Sequence, residues 1–170
     1  VGDPLDPETD IGPMVSQRHF DKVMSYIKRG GDEGARLVSG GSLTESSGLF
    51  IPPTVFTDLT PEMIISKDEI FGPVLGVLPI EGINHALTVA KDTSFGLHAT
   101  VYTKDIDRAI FLSRRLPCGT VSVNGFSEGD IKTPFGGFKR SGSLARDNGE
   151  EALDQYLQTK TIWVNVGEVK

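Results

Sequence analysis

Cysteine is nearly absent: Cys118 is the only one among 170 residues, so no disulfide can form within the chain. A lone thiol fits a reducing, cytoplasmic setting. It opens an apolar run, Cys118 to Val123, with no histidine or helix start nearby to lower its pKa, so it reads as a buried structural thiol, not a nucleophile. Histidine is also scarce, and His85 and His98 have no partners at metal-ligand spacing, so no metal site is expected. No apolar stretch approaches membrane-spanning length, and no signal peptide is visible. Positive charge is thin as well. The formal net charge is −6, and Arg114-Arg115 and Lys139-Arg140 are isolated pairs, which argues against nucleic acid as a partner.

What is present is turn chemistry around a moderate core. Twenty glycines and ten prolines imply many tight turns in a chain long enough for one core-bearing domain. Residues 1–15 read as a Gly/Pro-rich loop, and the abrupt opening Val1-Gly2-Asp3-Pro4 reads as a cut inside a longer protein. Ser16 is the expected N-cap of a helix whose apolar face is Phe20, Val23, Met24 and Ile27, ended by Gly30-Gly31. Ala35 to Ser39 reads as a short strand. Leu49 to Val55 carries Pro52-Pro53 and so reads as an edge strand or covering arm, and Pro61 to Ser66 as a helical turn.

The second half alternates. Strands are expected at Val74 to Ile80, Ala99 to Thr103 and Thr120 to Asn124. Helices are expected at Ile83 to Lys91 and from the Asp105 cap to Arg115, the latter with Ile106, Ala109 and Ile110 facing inward. That order argues an α/β fold with a largely parallel sheet and flanking helices. Arg146 to Leu157 reads as helical, and Thr161 to Val166 as a last strand rich in β-branched and aromatic residues.

The most informative stretch is Glu69-Ile70-Phe71-Gly72-Pro73-Val74. An acid and an aromatic flank an apolar residue before a Gly-Pro turn, which can aim a carboxylate and a flat ring at one point beside a sheet edge. Ribose hydroxyls would satisfy the first and a planar ring the second. Taken alone, Glu69 would pass for a surface carboxylate before a turn. A second stretch is Pro134-Phe135-Gly136-Gly137-Phe138-Lys139-Arg140-Ser141-Gly142, where the Gly-Gly pair permits close backbone approach. Phe95-Gly96-Leu97 is an aromatic-glycine turn before a strand.

Together with Val1-Gly2-Asp3-Pro4, Gly12-Pro13, Gly40-Gly41 and the last strand, these motifs resemble the NAD(P)-dependent aldehyde dehydrogenases over essentially the whole chain. The match is to the C-terminal third of such an enzyme. It implies a partial catalytic domain over 1–142 and a C-terminal helix with an oligomerisation strand over 143–170. By that resemblance Glu69 accepts hydrogen bonds from the nicotinamide ribose and Phe71 packs near the nicotinamide. Leu97 lies close to the same ring, and Phe135 lines the place where cofactor and aldehyde meet. His19 and Lys22 stand where some relatives contact the adenine-side ribose, but a solvated helix face is expected. Leu144-Ala145 before Arg146-Asp147 departs from the family pattern, which usually has another glycine there.

The loop from Asn124 to Thr133 borders the aldehyde entrance in many relatives. Here Phe126 supplies an aromatic, Gly129 stands where several relatives carry a bulky ring, and Glu128 and Asp130 add negative charge. A wide, acidic mouth suits a long aldehyde with a cationic far end, as in the branch acting on amino-, guanidino- or γ-glutamylamino-aldehydes. The competing reading is a solvated loop whose acids touch nothing.

The family's reaction needs a nucleophilic cysteine, a general-base glutamate and NAD or NADP. Cys118 does not occupy the nucleophile position, so no catalytic residue is assigned within the chain, and the chain alone is expected to be inactive. A homo-oligomer built through Thr161 to Val166 is expected, because an uncovered apolar end strand is an aggregation liability. The alternatives are a non-catalytic oligomerisation or binding module of the same fold, and a semialdehyde or acyl-reducing relative. An intact Glu69 and Phe71 favour the enzyme.

Overall fold

Ser16 caps the first helix as its sequence position demands. Its backbone is extended, and its Oγ accepts from the His19 N–H at 3.2 Å, satisfying a donor that the first helical turn leaves open. In this computed structural model, residues 1–42, 48–126, 130–143 and 145–167 are described. The chain divides into two units, Val1–Ser94 and Phe95–Lys170.

In the first unit, α1 (Gln17–Asp32) buries Val23, Ile27 and Gly30. The helix does not stop at Gly30-Gly31. A Cβ on Gly30 would lie 2.8 Å from Ile65 Cδ1, so this glycine is a packing contact within the helix. The chain leaves the helix later, at Gly34 with φ +99°. A three-stranded sheet has the order β1 (Arg36–Ser39), β2 (Thr54–Thr57), β3 (Val74–Gly76). β1 runs antiparallel to β2 with a register shift between Leu37 and Ser39, and β2 runs parallel to β3. Leu49 to Val55, expected as an edge strand or covering arm, shares only Thr54 and Val55 with the central strand β2. The two prolines lack N–H groups and fall just before the ladder, which Thr54 opens by donating to the Pro73 carbonyl at 2.8 Å.

A helical turn, α2 (Ile64–Lys67), follows where one was expected. β3 is shorter than Val74 to Ile80, although Val77 N–H still reaches the Phe56 carbonyl at 2.9 Å before Pro79 interrupts. α3 spans Ile83–Lys91, with the bounds expected of it. Val23, Ile27, Ile51, Phe56, Ile65 and Ile70 form the centre of this unit's core.

In the second unit, β4 (His98–Val101) and β5 (Thr120–Val123) pair in parallel, His98 opposite Thr120. They are joined through α4 (Ile106–Ser113), which Asp105 caps by accepting from the Asp107 and Arg108 N–H groups at 2.9 and 3.1 Å. α4 ends before Arg115. Of the three residues expected inward, only Ala109 is buried, while Ile106 is 69% and Ile110 45% exposed. The covered face is Ala109 with Leu112, Ser113 and Leu116, at i, i+3, i+4 and i+7, so Ile106 and Ile110 fall to its side.

The expected helix from Arg146 to Leu157 is a 3-10 helix confined to Glu150–Tyr156. Asn148 and Gly149 both have positive φ, which prevents an α-helix from starting earlier. The strand expected at Thr161 to Val166 is not formed, because no described segment lies alongside to make a ladder. Ile162, Trp163, Val164 and Val166 are 72–92% exposed. Among the described residues, no helix is long and apolar enough to cross a membrane. The architecture is α/β, parallel at β2/β3 and β4/β5.

Candidate functional site

The Glu69 motif alternates in and out. Ile70 enters the core at 9% exposure, so its neighbours Glu69 and Phe71 turn outward. Both line one open cleft of about 430 Å³, with Asp68, Gly72 and Val74 on its walls. Phe71 is 71% exposed and its backbone is left-handed, at φ +60°. A non-glycine residue there costs roughly 1–2 kcal/mol. The surrounding structure holds an aromatic ring in water against that cost, a combination typical of ligand sites.

Two features impose this geometry. Gly72 passes directly over α1, where a Cβ would stand 2.7 Å from Val23 Cγ1, so only glycine lets the motif lie this close. Tyr26, one turn along the same helix, donates to Asp68 Oδ2 at 2.9 Å. That hydrogen bond, followed by partial burial and the carboxylate charge, raises the Tyr26 pKa above its usual value, so the phenol keeps its proton. Lys67 is held from the other side by an ion pair with Asp92 at 3.1 Å and by the Thr93 hydroxyl on its carbonyl. Glu69 is thus mounted on a backbone fixed at both preceding residues.

The second unit ties the other motifs together. Gly96 is buried. Its N–H donates to Ser141 Oγ at 3.0 Å, and its carbonyl accepts from Phe138 N–H at 2.8 Å and Gly119 N–H at 3.1 Å. A Cβ on Gly119 would overlap the Gly136 carbonyl oxygen. The Phe95-Gly96-Leu97 turn and the Pro134 to Gly142 stretch, distant in sequence, are therefore one bonded cluster. Phe135 is half-buried and bridges to Asp147 by reciprocal backbone hydrogen bonds of 2.6 and 2.7 Å. Leu97 is 38% exposed.

Phe126 follows Asn124, whose φ is +55° and whose amide bonds both the N–H and the carbonyl of Thr103, each at 2.8 Å. The Phe126 ring is 70% exposed and meets the His98 ring edge-on. Asp130 is exposed, and its Oδ1 accepts from Lys132 N–H at 3.0 Å, closing a local turn. Glu128 and Gly129 lie outside the described residues. Cys118 is half-buried, and burial pushes its thiol up, opposed by the charge of Lys139. The raised pKa favours the neutral thiol over the thiolate. His85 Nδ1 accepts from Glu81 N–H at 3.0 Å at the start of α3, and no His/Cys/Asp/Glu cluster among the described residues could hold a metal.

So the structure brings Glu69 and Phe71 into one cleft in the first unit, and joins the Leu97 turn to the stretch carrying Phe135 in the second. The residues that sequence reasoning missed are the supports: Tyr26, Asp68, Asn124, His98 and Ser141. Only Asn124 carried a signal, as the non-glycine type that best tolerates positive φ at the end of a strand.

The first unit thus exposes a carboxylate and an aromatic ring beside a parallel strand of an α/β architecture. The model of the aldehyde dehydrogenase family matches residues 1–162, and the chain belongs to that family. Cytosolic 10-formyltetrahydrofolate dehydrogenase of Xenopus tropicalis is 46% identical over 166 residues, covering 96% of this chain and 18% of its own. Retinaldehyde dehydrogenase 3 of Homo sapiens is 45% identical, covering 99% of this chain and 33% of its own. The NAD-dependent aldehyde dehydrogenase from Sinorhizobium meliloti superposes with a TM-score of 0.93 at 39% identity, covering 100% of this chain and 34% of that one. The indole-3-acetaldehyde dehydrogenase of P. syringae, solved with NAD+, gives a TM-score of 0.91 at 42% identity, covering 97% of this chain and 34% of that one. The chain spans 18–35% of the length of the curated relatives it matches.

Proposed function

We propose that this chain is the C-terminal portion of an NAD(P)-dependent aldehyde dehydrogenase, an oxidoreductase that converts an aldehyde to a carboxylate, and that it supplies the nicotinamide-side wall of the site. The observation that carries this is the pairing of Glu69 with Phe71, an exposed ring at φ +60°, in one open cleft. A dinucleotide fits those two groups chemically: hydroxyls for the carboxylate, a flat ring for the phenyl face. When bound, the cofactor takes up the hydride lost by the aldehyde carbon.

Glu69 accepts hydrogen bonds from the ribose, and Phe71 stops the nicotinamide end from drifting off the wall. Leu97 and Phe135, both in the second unit, are further proposed cofactor-side residues on the strength of the family resemblance. The nucleophilic cysteine and general base belong to the part of the enzyme outside this chain, so the chain alone is inactive. The division into a catalytic portion over 1–142 and an arm over 143–170 belongs to the same reading, with Thr161 to Val166 pairing against a second subunit of a homo-oligomer.

The substrate reading rests on the mouth. Phe126 and Asp130, with Glu128 and Gly129 between them in the sequence, have the composition of a small-residue, acidic entrance suited to amino-, guanidino- or γ-glutamylamino-aldehydes. A betaine aldehyde dehydrogenase of Cereibacter sphaeroides, 43% identical, is consistent with a cationic far end. The retinaldehyde relative marks how far substrates vary at similar identity.

The test is NADH formation by the intact enzyme with 4-aminobutyraldehyde or 4-guanidinobutyraldehyde against a simple aliphatic aldehyde. A preference for the cationic substrates supports the mouth. The reverse preference discards it and leaves the family reading standing. Glu69→Gln tests the cofactor wall. Losing a charge-assisted hydrogen bond is worth roughly 1.5–3 kcal/mol, so hydride transfer slows by about tenfold to a hundredfold and aldehyde binding changes less. An unchanged rate and unchanged cofactor affinity would take Glu69 out of the site.

A further inference from the structure

Phe126 stands with most of its ring in solvent, yet its position is fixed twice. Asn124, two residues earlier, fixes the backbone through its paired hydrogen bonds to Thr103. The ring itself is met by His98, with centroids 5.1 Å apart and planes at 78°, the edge-to-face arrangement that aromatic pairs favour. His98 is in turn held: it is half-buried on β4, and its Nε2 lies 2.9 Å from Ser122 Oγ on the neighbouring strand β5. The hydroxyl fixes the turn of the imidazole, the imidazole presents its ring to Phe126, and Phe126 reaches into solvent.

We infer that His98 is a positioning residue that sets aldehyde selectivity by holding Phe126 at the mouth. The inference rests on the proposed role of Phe126 in lining that mouth. His98 touches neither cofactor nor substrate in this scheme. It acts by removing rotamer freedom from an exposed phenyl ring before an aldehyde arrives, which lowers the cost of ordering the ring on binding. Its effect therefore falls on KM for aldehydes that reach the ring and not on hydride transfer. A long aldehyde is affected and a two-carbon aldehyde is not.

The experiment is a set of variants in the intact enzyme, read with a long and a two-carbon aldehyde. His98→Ala raises KM for the long aldehyde by roughly threefold to tenfold, as expected for an aromatic pair, with kcat and the cofactor KM unchanged. His98→Phe keeps the ring contact without the Ser122 bond and retains selectivity. His98→Asn keeps a polar partner for Ser122 without the ring and loses it. The opposite ranking of those two variants overturns the proposal. So does an effect of His98→Ala that persists in a Phe126→Leu background, because the role runs only through that ring.

An NMR readout separates this inference from the reading it rests on. The His98 imidazole resonance, assigned by its loss in His98→Ala, shifts in Phe126→Leu when the phenyl ring current is removed. If it shifts while Phe126→Leu leaves every aldehyde unchanged, the contact is real and Phe126 does not line the mouth, which overturns the selectivity role. If it does not shift, the His98–Phe126 contact itself is refuted.

Discussion

Tyr26 on α1 donates a 2.9 Å hydrogen bond to Asp68, the residue that precedes Glu69. The pair joins the helix to the motif from far along the sequence, and it ties stability to pH through the phenol. The folded-state pKa of Tyr26 lies above its ordinary 10.0, so the folded protein holds this proton more tightly than the unfolded chain. The associated stabilisation is present in full below pH 10 and is lost as the pH rises through the folded value. Tyr26→Phe is expected to lower stability at neutral pH by about 1 kcal/mol and to flatten the alkaline decline. Urea unfolding at neutral and strongly alkaline pH checks both; an equally steep alkaline decline in the variant would reassign it to another group.

Phe71 offers a case where stability and function pull apart. Its ring is 71% exposed and contributes little burial, while its φ of +60° is strained for a non-glycine residue. Asparagine tolerates this conformation better. Phe71→Asn is therefore expected to raise unfolding stability by up to about 1 kcal/mol while weakening cofactor binding. Denaturant midpoints and the cofactor KM of the intact enzyme measure the two effects. A variant that is less stable and equally active would show that the ring serves packing.

Gly72 lies against Val23, which is fully buried. Gly72→Ala places a methyl group at 2.7 Å from a valine methyl, and overpacking of this kind costs about 1–3 kcal/mol. The strain has an identified partner, so Val23→Ala in the same molecule should restore part of the loss, and the two changes should not add. Thermal unfolding of the two single variants and the double variant decides this. Simple additivity would mean that the methyl clash is relieved by backbone movement.

Local rules made much of this fold legible. The Ser16 cap, the periodic face of α1 and the bounds of α3 follow from local patterning, and the parallel pairing of β4 with β5 follows from the strand–helix–strand order that joins them. Gly30 misled because its role is a contact with Ile65, far away in sequence. The prolines at 52 and 53 were read as an edge signal, but Thr54 to Thr57 begin just past them and take the centre of the sheet. At the site, Glu69 and Phe71 were legible as a motif. The left-handed backbone of Phe71, the Tyr26 strut and the His98 contact were not, since each depends on where the chain returns in space.

Trp163 is 92% exposed, and Ile162, Val164 and Val166 are each more than 70% exposed around it. Side chains of this type pack well on a pleated, half-buried surface, and a row of them in water is a strand without its sheet. The proposed resolution is pairing with a second copy of the enzyme, where backbone groups gain ladder partners and the apolar row is covered. Trp163→Asp places a charge in the middle of that row and should shift the intact enzyme toward smaller species in sedimentation velocity. Trp163→Tyr keeps an aromatic ring of strand-forming type and should leave the assembly unchanged. If both variants sediment like the parent, the arm is not the contact that holds subunits together, and the exposed row needs a covering segment from elsewhere in the protein.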